Sequence, residues 1–116
     1  MIRKTAASNK IKTAVVEEGV SITPMPVTQG EAVTIKYDGL LADSGAKMLY
    51  THVGYGSSDN WSQIEDIAMS KAGGSWHCQL LPKGERVHFC FHDGANHWDN
   101  NHGRNWTITV HNGEIF

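Results

Sequence analysis

The residues most able to do chemistry lie between positions 91 and 106, where Trp98 stands on a stretch made mostly of Asp, Asn, Gly and His. An indole placed among such neighbours forgoes much of its burial energy, so its flat apolar face is available to a ligand. A second tryptophan, Trp61, follows the polar segment Gly54 to Asn60, and His52 lies just before that segment. Flat rings rimmed by hydrogen-bonding groups suit a sugar. The C–H patch of a pyranose stacks on an indole through dispersion and apolar burial, and its hydroxyls take donors and acceptors such as Asn, Asp and His. The candidate carbohydrate-binding residues read from this pattern are His52, Trp61 and Trp98, with Asp99 beside the second ring. Two rings set at an angle would suit a curved α-1,4-glucan, and coplanar rings would suit flat cellulose.

The other tryptophans read differently. Trp76 and Trp106 lie in alternating apolar patterns and are expected in the core. A rival chemistry comes from His88, Cys90 and His92, two residues apart on one strand face, with His77 expected opposite Cys90. Such a face could bind zinc or a protein partner. Alternate residues on a strand stand ~7 Å apart, however, and no CxxC or HExxH spacing sharpens the case, so no metal and no cofactor are expected. Catalysis is not expected either. Glycoside hydrolysis needs two carboxylates across a cleft, and Asp59, Asp93 and Asp99 all sit beside Asn or Gly, which is turn chemistry.

These groups must be held by short strands. Ala14–Val16, Val20–Ile22, Ala32–Tyr37, Met48–Tyr55, Ile64–Ser70, Ser75–Leu81, Arg86–His92 and Trp106–His111 carry apolar or alternating patterns. Leu40 to Lys47 and Gly54 to Asn60 read as loops. Pro82-Lys83-Gly84-Glu85 reads as a hairpin turn, pairing Leu80 with Val87 and setting Cys78 and Cys90 on opposite faces, where they cannot bridge. Turn signals every 8 to 12 residues and the absence of a long helical period predict an antiparallel immunoglobulin-like β-sandwich of about seven to nine strands. Residues 1 to 11 are expected to be a flexible leader and 12 to 116 one carbohydrate-binding domain.

With 116 residues and a net charge of −2, the chain offers no basic patch for nucleic acid and no apolar run long enough for a membrane span. The absence of an export signal and the unpaired cysteines lead to an expectation of a cytoplasmic protein, or a secreted one if the chain is a fragment of a larger protein.

The segments Tyr50-Thr51-His52-Val53-Gly54, the polar stretch to Trp61, and Trp98-Asp99-Asn100-Asn101-His102-Gly103-Arg104-Asn105-Trp106 resemble the starch-binding carbohydrate-binding modules of families 25 and 53. The resemblance spans roughly residues 28 to 110. It implies a β-sandwich that binds starch, glycogen or maltooligosaccharides without metal or catalysis. It places the site on His52, Trp61 and Trp98, with Asn100 and Asn101 shaping the loop or bonding hydroxyls. It also implies association with a carbohydrate-active enzyme. Trp106 departs from the family pattern, which more often has tyrosine there.

Overall fold

The computed structural model describes residues 14–112. They form two five-stranded sheets laid face to face, the expected antiparallel sandwich. One sheet runs β1 (Ala14–Glu17), β2 (Val20–Thr23), β3 (Val33–Tyr37), β7 (Ser75–Leu80), β6 (Ser70–Ala72). The other runs β10 (Trp106–Thr109), β8 (Arg86–His92), β4 (Tyr50–Ser57), β5 (Asn60–Ala68), with the two-residue β9 (Trp98–Asp99) also paired to β8. The leader expected over residues 1 to 11 lies outside the described residues.

The alternation legible in the sequence sets the core. Val20 and Ile22, Val33, Ile35 and Tyr37, and Trp76, Cys78 and Leu80 face inward from the first sheet; Thr51 and Val53, Val87, Phe89 and Phe91, and Trp106 and Ile108 face them from the second. Each large side chain so buried contributes about 1.5–3 kcal/mol from apolar transfer. Rings interlock across the layer. Tyr37 stacks on Phe91 with centroids 4.1 Å apart, and Trp106 meets Phe91 edge-on at 5.2 Å. Trp76 and Trp106 are core residues, as expected.

Three expectations are corrected. Ser75–Leu80 and Arg86–His92 are not a hairpin: β7 pairs with β3 and β6, and β8 pairs with β4 and β10. The turn between them carries the chain from one sheet to the other. Both strands bury one apolar face in the shared core, so crossing the sandwich satisfies the same alternation that a hairpin would. Cys78 therefore lies beside Ile35 and Cys90 beside His52, in different sheets, and both thiols are buried and free. Leu40–Asp43 forms a short helix, α1, rather than loop; it buries Leu41, whose N–H donates to the Tyr37 hydroxyl at 3.0 Å. Gly54 to Asn60 is mostly strand, with β4 and β5 forming a hairpin that pairs Ser57 with Asn60.

Candidate functional site

The outer face of the second sheet gathers the aromatic and imidazole side chains. Residues directly opposed in antiparallel strands share a face. Tyr50 is opposed to His92, His52 to Cys90 and Asp66, Gly54 to His88, and Gly56 to Trp61. With Phe89 and Phe91 directed into the core, His88, Cys90 and His92 necessarily point the other way.

Trp61 lies in β5 and crosses over β4 at Gly54. A Cβ on Gly54 would stand 2.6 Å from Trp61 Cε3, so only glycine lets the indole lie this close to the strand. The ring stacks on His88 with centroids 5.6 Å and planes 22° apart, and its Nε1–H donates to Ser58 O at 3.1 Å. His88 is itself buried, with Nε2 bonded to Gly56 O at 2.7 Å and Nδ1 to Thr107 Oγ1 at 2.9 Å. Trp61 is thus half-buried and held at its edge and at one face.

Trp98 and Asp99 show how one strand step divides two jobs. In β9, Trp98 pairs with His92 and faces outward, 48% exposed, while Asp99 pairs with Phe91 and faces inward, 7% exposed. The Trp98 ring lies 4.4 Å from that of His92, which stacks in turn on Tyr50 at 5.0 Å. Asp99 accepts the Tyr37 hydroxyl at 2.5 Å and the Asn101 N–H at 3.2 Å. Burial, and then the bond to Asp99, push the Tyr37 phenol well above its ordinary pKa.

The rest of the loop is tied down in the same way. Asn101 is 2% exposed and donates to Glu17 Oε1 at 2.6 Å and Asn105 O at 3.1 Å. Asn100 is exposed at the surface, and its Oδ1 accepts the Gly103 N–H at 2.9 Å. Asp93 accepts the backbone N–H groups of Ala95 and His97, and the first of these bonds is the main reason its carboxyl sits below the usual range. Of the polar residues singled out from the sequence, Asn100 is at the surface, while Asp99 and Asn101 form the buried base of the loop.

His52 stands between the two indoles, 5.9 Å from Trp61 and 5.2 Å from Trp98 by centroid. Its plane is 32° from that of Trp61 and 90° from that of Trp98, so the two indole planes differ by at least 90° less 32°, about 58°. They are not coplanar. His52 Nδ1 meets Asp66 Oδ1 at 2.6 Å, and His92 Nε2 meets the same oxygen at 2.9 Å. Burial pulls the Asp66 carboxyl upward, but the bonds from His52 and His92 outweigh it and hold the group below the ordinary carboxylate range.

His52, Trp61 and Trp98 therefore meet on one face. The rival face drawn from His77, His88, Cys90 and His92 does not form, because His77 belongs to the opposite sheet, opposed to Lys36 and Ser70. Among the described residues, the one group of donors close enough to hold an ion is His52, Asp66 and His92, with atoms within 4.8 Å of one another. The supporting roles of Tyr50, Asp66, His88 and His92 were missed by sequence reasoning. Alternation set His88 and His92 on an outer face, but pairing β8 with β7 hid that this face is also that of His52.

Residues 33–89 match the starch/carbohydrate-binding module (family 53). An alpha-amylase of Clostridium acetobutylicum is 34% identical over 87 residues, a match covering 72% of this chain and 11% of the amylase. The chain thus spans about a tenth of the length of that relative. In fold it is similar to the iodinated CBM25 of a Bacillus halodurans amylase, at 20% identity and a TM-score of 0.52, with 74% of this chain and 90% of that one covered.

Proposed function

We propose that this chain, a starch-binding carbohydrate-binding module of the family 25 and 53 type, holds α-1,4-glucan by stacking sugar rings on Trp61 and Trp98 while His52 bonds a hydroxyl between them. The observation that carries this reading is the placing of two indoles and an imidazole on one sheet face, their planes inclined rather than flat. A helically curved glucan turns its successive rings, and an inclined pair of indoles follows that turn. A flat cellulose ribbon would meet only one of them. Each sugar stacked on an indole gains dispersion and apolar burial, and the rigid support under each ring lowers the entropy lost on binding.

An open platform with two stacking rings implies weak affinity for a single site, of order 10 µM to 1 mM, or about −7 to −4 kcal/mol. That strength suits a module working beside other contacts. With an alpha-amylase among its relatives, the partner we propose is a carbohydrate-active enzyme kept close to its polysaccharide, where linkage converts weak binding into residence. Asn100 is the loop residue placed to add a hydroxyl contact; Asp99 and Asn101 act by fixing the loop.

Affinity electrophoresis through glycogen and pull-down on granular starch and on cellulose test the reading. Retardation by glycogen and capture by starch but not by cellulose is expected. Equal capture by cellulose would contradict the inclined-platform argument, and no retention on any glucan would contradict the function.

A further inference from the structure

His52 could meet a sugar hydroxyl as donor or as acceptor, depending on which ring nitrogen carries the proton, and its surroundings decide which. The backbone N–H of Gly94 donates to His92 Nδ1 at 3.1 Å. A backbone amide can only donate, so this nitrogen of His92 is an acceptor and the neutral ring carries its proton on Nε2. That Nε2–H points at Asp66 Oδ1, 2.9 Å away. The same carboxylate oxygen, which can only accept while ionised, lies 2.6 Å from His52 Nδ1. The proton of His52 is thereby placed on Nδ1. Its Nε2 has no hydrogen-bond partner among the described residues and belongs to the ring lying between Trp61 and Trp98.

Resting on the glucan-binding reading, we propose that Asp66 and His92 are positioning residues that hold His52 in its Nδ1–H tautomer, so that Nε2 accepts a hydrogen bond from a glucan hydroxyl. The hydroxyl must then donate to His52, and its own oxygen remains free to accept from elsewhere. A ligand offering only an acceptor at that position, such as an O-methyl glucoside, meets a lone pair and loses the bond. The chain from the Gly94 amide through His92 to Asp66 is thus a specificity device, set two steps behind the group that meets the sugar. The depressed Asp66 carboxyl agrees with it, since an oxygen accepting from two imidazoles is stabilised as the anion.

The test is long-range nitrogen–proton correlation NMR of the histidine rings in the unliganded protein, with maltoheptaose affinity measured on the same variants. In the parent protein His52 is expected with Nδ1 protonated and Nε2 bare. Asp66→Ala should return His52 to the Nε2–H form that free imidazole side chains favour and weaken maltoheptaose about five- to tenfold, the worth of one net hydrogen bond. Asp66→Asn, which keeps an acceptor oxygen, should preserve the tautomer and recover most of the affinity. A parent His52 with Nε2 protonated overturns the proposal, as does an Asp66→Ala protein that keeps both tautomer and affinity. The spectrum is taken without sugar, so an Nδ1–H His52 in a protein that fails to bind maltoheptaose would overturn the glucan reading while supporting the hydrogen-bond chain.

Discussion

Trp61 stacks on His88 with ring centroids 5.6 Å apart, and the histidine is in turn bonded through both its nitrogens. Trp98 packs at a tilt of 32° on His92, 4.4 Å away by centroid, which is fixed by Asp66 and Gly94. Each of the two indoles thus rests on a ring that cannot turn. A binding surface built this way does not have to order its aromatic side chains when ligand arrives, which is where an open platform would otherwise lose affinity.

The first prediction separates platform from core. Trp98→Ala removes a half-exposed ring and should weaken glycogen binding by about 2 kcal/mol, ~30-fold. Its melting temperature should stay within about 3 °C of the parent, because no core contact is lost. Trp106→Ala should do the opposite and unfold the domain or cost about 3–5 kcal/mol. Thermal denaturation beside affinity electrophoresis reads both.

Gly54→Ala tests the seat of Trp61 without removing any group proposed to meet sugar. The new methyl would stand 2.6 Å from Cε3, so the indole must lift off the strand. Destabilisation of about 1–3 kcal/mol is expected, with a loss of glucan affinity comparable to that of Trp61→Ala.

The loop that presents Trp98 is anchored through Tyr37 and Asp99, which gives it a pH signature. The phenol is raised by burial and by the Asp99 bond, so the folded protein keeps its proton where the unfolded chain, with an ordinary pKa near ~10, releases it. Stability from this group is therefore complete below about pH 10 and falls as pH rises further. Tyr37→Phe should lower stability by about 1–3 kcal/mol at neutral pH and flatten the alkaline limb of urea-midpoint against pH.

Both cysteines should be slow to react in the folded protein. Burial raises Cys78, and burial followed by the nearby Asp66 and Asp99 charges pushes Cys90 up to about 12. A thiol reagent at pH 8 should find almost no thiolate until urea is added, when both side chains should titrate together. Rapid native reaction of either thiol would contradict the burial.

The architecture was legible where period and face coincide. Val33 to Tyr37 and Arg86 to His92 alternate cleanly, and their apolar members are the core. Trp98 was legible as an exposed ring because its neighbours are all turn formers. Partner strands were not legible: a turn such as Pro82 to Glu85 can close a hairpin or cross between sheets, and both choices bury the same residues. That ambiguity hid the support of Trp61 by His88 and of Trp98 by His92. Nor does chain order show that Asp99, next to the exposed Trp98, is buried against Tyr37, since that contact joins residues 62 positions apart.

The central claim is that the indoles of Trp61 and Trp98 together receive an α-glucan. Four indole N–H signals in a proton–nitrogen correlation spectrum, one for each tryptophan, test it within one molecule. On titration with maltoheptaose, those of Trp61 and Trp98 should shift along a common saturation curve while those of Trp76 and Trp106 stay in place. Signals of Trp61 and Trp98 that do not move at millimolar sugar, or a shift confined to the core pair, would contradict the account.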